Sequence, residues 1–123
     1  MPRRIILSVL LCLGLLACGK KTLVIDDAGE PTTLELRSTA EVKAIELEVH
    51  GLLSLPARIH LIKPSESNQI WKTFELIPMV MAGMPRGIVP IVFHADYNER
   101  KLILKYEPER KTSGNLEIRY RFK

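Results

Sequence analysis

Apolar and polar residues alternate one by one along much of the chain beyond residue 30. From residue 45 to residue 50 (IELEVH) and from residue 116 to residue 122 (LEIRYRF), every second residue is apolar and the residues between are charged or polar. The same period recurs around Leu34, Ile59 and Leu102. A period of two is typical of β-strands that turn one face to a core and the other to water. The pattern therefore predicts an all-β domain.

Clusters of glycine, proline, serine and asparagine separate the alternating segments, as turns do. The pattern predicts seven or eight strands, at about residues 22–26, 32–38, 42–50, 57–63, 69–77, 88–95, 101–107 and 115–122. No segment has the apolar spacing of an amphipathic helix. Short strands at this spacing favour a small antiparallel β-sandwich, immunoglobulin-like or jelly-roll-like, over residues 28–123.

Three local features refine this prediction. Val42 and Ala44 are out of phase with the apolar positions that begin at Ile45, which indicates a bulge near Ala44 or a strand that starts at Ile45. The last two strands, joined by residues 108–114, are expected to form a hairpin with a longer loop. The C-terminal strand is expected to be paired, because its four large apolar residues have no other evident use.

The N-terminal segment does not follow the alternation. Arg3 and Arg4 precede a run of 14 residues, Ile5 to Cys18, in which only Ser8 and Gly14 are not apolar. A basic start, an apolar run and a small residue before a cleavage point are the layout of a secretory signal. The run is shorter than the roughly 20 residues of a membrane-spanning helix. Residues 1–17 are therefore interpreted as a signal peptide, with an N-terminal anchor helix as the alternative.

The sequence Leu15-Leu16-Ala17-Cys18 resembles the lipobox of bacterial lipoproteins. In that class the signal is cut before the cysteine, here between Ala17 and Cys18, and the cysteine carries covalent lipid. Residues 18–27 then form the lipidated N-terminus, a tether and the first strand. A residue other than Asp after the cysteine, here Gly19, implies the bacterial outer membrane, with the domain facing the periplasm. Several acyl chains give stable anchoring without a membrane-spanning segment.

Composition changes when the signal is set aside. The chain has 123 residues, of which 46% are hydrophobic and 26% charged, with a net charge of +4. Without residues 1–17 there are 106 residues with a net charge of +2. This length excludes a multidomain enzyme, and the apolar content excludes a disordered chain. Cys12 belongs to the signal and Cys18 is acylated on this interpretation, so the mature domain has no disulfide.

The charges are unevenly distributed along the chain. Residues 22–50 carry a net charge of −5 and residues 100–123 a net charge of +5. If these strands are neighbours, the two faces are complementary. If they are apart, the basic face could bind an anionic envelope partner. Nucleic acid is not expected as a partner, because the net charge is small and the expected location is outside the cytoplasm.

Motifs of catalysis are missing from the sequence. It contains no nucleophile elbow, no zinc-protease motif and no phosphate loop. His50 and His60 are expected on the outward faces of neighbouring strands, where a histidine is more often solvated than a ligand. We therefore expect no enzymatic activity and no cofactor other than the covalent lipid.

A methionine-rich segment is the one candidate metal site. Met79, Met81 and Met84, with His94 further on, offer the thioether and imidazole groups that bind Cu(I). The same methionines suit flexible packing over a core or an apolar surface that contacts a partner or lipid. Core or loop packing is the first interpretation, a partner surface the second and copper the third.

Taken together, the sequence favours a lipid-anchored, non-enzymatic module of the bacterial envelope that binds another envelope protein or assembly. By location and fold it is similar to secretion-system accessory lipoproteins and pilotins. The alternatives are a carrier of lipid or Cu(I) with a pocket covered by residues 77–90, and an enzyme of unknown class. A closed core around Trp71, Phe74 and Phe93 would favour the binding module, and a large cavity there would favour the carrier.

Overall fold

A computed structural model describes residues 20–66, 69–79 and 82–123. All eight predicted strands are present, and a short 3-10 helix (Pro64–Glu66) joins two of them. The strands are β1 (Lys21–Ile25), β2 (Thr32–Arg37), β3 (Ala44–Leu53), β4 (Ala57–Lys63), β5 (Gln69–Leu76), β6 (Gly87–Asp96), β7 (Lys101–Pro108) and β8 (Gly114–Phe122). In this part of the chain no helix has the length and apolar character needed to cross a membrane.

The strands form two antiparallel sheets that pack face to face. The first sheet has the order β1-β8-β3-β6, and the second has the order β2-β7-β4-β5. Among these strands, β4 and β5 are the only consecutive pair within one sheet, so every other connection crosses between the sheets. This is the strand order of a jelly roll. The predicted β-sandwich is confirmed in its jelly-roll form, and the immunoglobulin-like alternative is wrong.

The expected hairpin of the last two strands is wrong. β7 pairs with β2 and β4, whereas β8 pairs with β1 and β3. Residues 109–113 carry the chain from one sheet to the other. The physical reason is that a hairpin and a crossing connection both need alternating strands and a polar turn, so periodicity does not distinguish them. The pairing of the C-terminal strand is confirmed, because β8 has a neighbour on each side.

The core lies between the sheets and is filled by the inward residues of the alternating segments. Val42 is also buried, in the loop that leads into β3. The change of phase marks the start of a strand, as one of the two interpretations expected, although β3 begins at Ala44, one residue before the expected Ile45. The central core residues are Ile45, Leu47, Val49, Ile59, Leu61, Leu102, Leu104, Tyr106, Leu116 and Ile118.

The register gives the sandwich two distinct ends. At the N-terminal end, β1 begins at Lys21 opposite Tyr120, near the end of β8. At the far end, Leu53 lies opposite both Gly114 and Gly87, where β8 and β6 begin. The connection from β5 to β6 therefore belongs to the far end. Lys21, the first residue of β1, therefore lies at the N-terminal end.

Thr112 holds the crossing from β7 to β8 at the far end. Its side chain is buried, and its Oγ1 accepts a hydrogen bond from the Leu55 N–H at 2.8 Å. The same hydroxyl lies 3.1 Å from Ser54 Oγ, which in turn accepts a hydrogen bond from the Ser113 N–H. Gly114 follows with a φ of +129°, and a Cβ there would overlap the Leu52 carbonyl oxygen. Only glycine suits this position.

Candidate functional site

The lipidation site and the signal cleavage point fall outside the described residues. Ala17 and Cys18 belong to residues 1–19, so their interpretation stays a prediction. Met81 also lies outside the described residues. The other candidates, Met79, Met84 and His94, can be placed in the structure.

The candidate copper ligands are not brought together as one group. Met79 forms a bridge with Ile88 at the start of β6, while His94 lies six residues further along the same strand. At about 3.3 Å per residue, this separates the two backbones by roughly 20 Å. Within the described ranges, no cluster of three or more histidine, cysteine or acidic side chains is arranged to hold a metal ion.

The two histidines expected on neighbouring strands lie on different sheets. His50 is on β3 of the first sheet, with its Nε2 3.5 Å from a Glu48 oxygen. His60 is on β4 of the second sheet, where its Nδ1 lies 2.9 Å from Thr73 Oγ1. The expectation of neighbouring strands is therefore wrong. Period-two alternation identifies which side chains point outward but does not assign a strand to a sheet.

The acidic and basic segments are direct neighbours. Glu46 on β3 is paired with Arg121 at 3.1 Å and with Lys123, both from the C-terminal segment. The ammonium of Lys123 and the guanidinium of Arg121 lower the pKa of the Glu46 carboxyl to about 2. In the second sheet, Glu35 pairs with Lys101 at 3.3 Å. The interpretation of the two segments as complementary faces therefore holds, and the isolated basic face does not form.

Five large apolar side chains from one stretch of the chain are exposed on the described surface. They come from the connection at the far end and from the outward face of β6, and we call them the apolar edge: Ile77, Met79, Met84, Ile88 and Val92. Val92 is 76% exposed and Met79 is 59% exposed. Leu52 lies opposite Ile88 and extends the surface onto β3. Of the interpretations considered for the methionines, Met79 and Met84 fit a surface and not a buried core.

The aromatic residues beside β6 form a packed cluster. The ring of Phe93 lies 5.6 Å from that of Trp71 and 5.0 Å from that of Phe74, both edge-to-face. Tyr97 continues the cluster 5.1 Å from Trp71 and donates a hydrogen bond to the Lys101 carbonyl. Burial, with a smaller contribution from Glu99, raises the pKa of Tyr97. Trp71, Phe74 and Phe93 are partly buried and pack against the edge of the core.

A pocket of about 210 Å³ opens at the N-terminal end, next to this cluster. The residues that line it are Lys43, Lys63, Asp96, Tyr97 and Asn98. The Lys63 ammonium lies 4.7 Å from the centre of the Trp71 ring. The pocket lies at the opposite end from the connection expected to cover a carrier site.

No protein-family model and no curated protein sequence matches the chain. Solved structures resemble it in fold. A protein from Sulfurospirillum deleyianum has a TM-score of 0.50 at 9% identity, over 85% of this chain and 97% of that one. A carbohydrate-binding module of the Cellvibrio mixtus lichenase 5A, in complex with cellotriose, has a TM-score of 0.46 at 10% identity, over 84% of this chain and 86% of that one.

Other similar structures belong to larger proteins. The chain spans 32% of the infectious bursal disease virus VP2 chain that it resembles, with a TM-score of 0.42 at 12% identity over 81% of this chain. At these identities the likeness concerns the fold alone.

Proposed function

We propose that the protein is a lipid-anchored lipoprotein of the bacterial outer membrane whose domain faces the periplasm and binds another envelope protein without catalysing a reaction. The anchoring half of the proposal rests on the lipobox ending at Cys18. The first strand begins at Lys21, so only a short tether separates the lipid from the fold. The N-terminal end of the sandwich would then lie against the membrane and the far end would project from it.

The observation that carries the binding half is the apolar edge. Single exposed apolar residues are ordinary, but here the exposed Met79 lies opposite Ile88, and Ile88 lies opposite Leu52. Adjacent exposed apolar side chains indicate a contact surface. The apolar edge begins at the far end, where a membrane-anchored domain is accessible to a protein partner. The anchor and the binding surface would therefore occupy different parts of the domain.

The anchoring half is tested by replacing the acylated cysteine. Cys18→Ala should leave the protein unprocessed or release it from the membrane fraction, with the corresponding change in mass. Membrane fractionation and intact-mass analysis measure both. An unchanged mass together with unchanged fractionation would contradict lipidation at Cys18.

The binding half is tested by photo-crosslinking in native envelopes. A photoreactive residue at Val92 should give defined adducts with another protein. The matched control is Val24, an exposed valine on β1, the opposite edge of the same sheet. Equal crosslinking at the two positions, or none at Val92, would contradict a binding surface on the β6 side.

A further inference from the structure

The backbone of β6 has one open side. Ile88 exchanges two hydrogen bonds with Met79, at 3.0 and 3.1 Å, so its backbone groups point away from β3. Tyr97, an odd-numbered residue, donates its N–H toward the β3 side, to the Lys43 carbonyl at 3.0 Å. Since these directions alternate along a strand, the N–H and C=O groups of Val92 and His94 also point away from β3, toward the open side of β6. The described residues supply no backbone partner for either one.

Pro90 supports this assignment. Its backbone groups face the same side of the strand as those of Ile88 and Val92, so an N–H at this position would have pointed away from β3, toward the open side of β6. Proline is found in strands at such edge positions, where no ladder hydrogen bond is lost. The open side of β6 therefore offers the carbonyl of Pro90 and both backbone groups of Val92 and of His94.

The other sheet edges in the described structure carry features that discourage pairing. Strand β1 has only five residues, and β2 carries Glu35 and Arg37. Strand β5 carries Lys72 and Glu75 and faces a register shift in β4. Short length, charge, proline and bulges are the usual means of protecting an edge. Strand β6 has ten residues and no charged side chain before its last one, Asp96, so Pro90 is its one feature of this kind.

The side chains on this edge suit an extended ligand. Ile88, 44% exposed, and Val92 point to the outer face of the sheet, two positions on either side of Pro90. Because Met79 already pairs with Ile88, an added strand would lie beside Pro90, Val92 and His94. It would place a side chain next to Val92 on the outer face, as in β-strand addition to a sheet edge. Main-chain hydrogen bonds would supply affinity, and the apolar neighbours would select apolar residues at alternate positions.

We propose that the open edge of β6 binds an extended segment of an envelope protein, apolar at alternate positions, as an added strand of the first sheet. This inference rests on the proposed function for the location of the partner. A second copy of the chain is a poorer occupant. A two-fold axis would pair the two β6 strands antiparallel and put the N-terminal ends, with their anchors, at opposite ends of the dimer, away from a common membrane.

The test uses the domain from Lys20 to Lys123, which contains all eight strands and every core residue described above. The probe is a phage-displayed library of random short peptides. We expect enriched peptides to be apolar at alternate positions. Bound peptide should slow hydrogen exchange at the amides of Val92 and His94, while the amides of Ile91 and Phe93, already bonded to β3, should be slow in the free protein.

Two substitutions at one position separate the backbone contribution from the side chain. Val92→Pro removes the outward N–H, and Pro90 shows that the strand accommodates proline in this orientation. We expect affinity for the peptides to fall by about tenfold, the equivalent of one lost hydrogen bond. Val92→Thr keeps the N–H and the branched Cβ and should retain most of the affinity. If Val92→Pro fails to fold, Val92→Lys places a protecting charge on the edge and should have the same effect.

Four results would overturn the proposal. The first is the absence of enriched peptides, and the second is enriched peptides that bind Val92→Pro or Val92→Lys with the same affinity as the unmodified domain. The third is a dimer in sedimentation that Val92→Pro abolishes. The fourth is binding of the domain to phospholipid vesicles through this edge. Because residues 1–19 are absent from the test protein, the outcome does not depend on Cys18. A failure of strand addition and a failure of lipid anchoring are therefore distinguished.

Discussion

Replacing Thr112 by valine should destabilise the domain far more than a surface substitution in a loop would. Valine keeps the shape of threonine but has no hydroxyl. The Leu55 N–H, 2.8 Å from Thr112 Oγ1, would lose its acceptor, and the contact with Ser54 Oγ would be lost as well. The Thr112 side chain is buried and the hydrogen bond itself is partly buried, and a donor left without a partner in such a place costs about 1–3 kcal/mol. The expected loss is therefore about 2 kcal/mol.

Thermal and urea denaturation of the domain from Lys20 to Lys123, followed by far-UV circular dichroism, measures this loss. For a domain of this size, about 2 kcal/mol corresponds to a fall in Tm of about 10 °C. Thr112→Ser is the matched control, because it keeps the hydroxyl and removes one methyl group, at a cost of about 0.8 kcal/mol. If Thr112→Val is no less stable than Thr112→Ser, the hydroxyl does not hold the crossing between the sheets.

Three further predictions follow from the same structure. Gly114→Ala should leave little folded protein, because Gly114 has a φ of +129° and a Cβ there would overlap the backbone. Gly83→Ala, at a φ of +81° with open space around it, should cost only about 1–2 kcal/mol. Soluble yield and Tm compare the two variants, and equal effects would contradict the overlap at Gly114. The pKa of Glu46 is about 2 in the folded protein and higher when unfolded, so its contribution is present above about pH 4.5 and is lost as the pH falls toward 2. Glu46→Gln should flatten the dependence of stability on pH between about 4.5 and 2, and Glu41→Gln, in an exposed loop, should not. Identical pH profiles for the two variants would refute the contribution of Glu46. Deletion of residues 119–123 should abolish the folded far-UV signal, because it removes half of a strand paired on both sides, and a retained signal would show that β8 is dispensable.

The alternation of residues predicted the strands well because burial on one face imposes a period of two directly on the sequence. Each strand was placed within about three residues of its bounds. Sheet membership was not predictable in this way. The segment from residue 108 to residue 114 has the same turn-forming composition whether it closes a hairpin or crosses between the sheets, so its composition favours a hairpin that the structure does not contain.

The candidate binding edge was also hidden in the sequence. The run from Gly87 to Ala95 is almost wholly apolar, which is equally typical of a strand buried on both faces. Only the strand order shows that β6 has a neighbour on one side. Thr112 shows the same limit, since it stands among lysine, serine and glycine, where an exposed turn is the natural interpretation.

The position of β1 has a mechanical consequence for a protein held at its N-terminus. A pull on the chain before Lys21 acts along the axis of β1, and β1 is hydrogen-bonded along its length to β8. All five residue pairs between the two strands would then be loaded together in shear, rather than opened one after another. If a partner holds the β6 side, the load passes across β8 and β3, through the full width of the first sheet. The strand order that leaves the outer side of β6 open also pairs β1, at the opposite edge, along its whole length, so under the proposed anchoring β1 would transmit the load to β8.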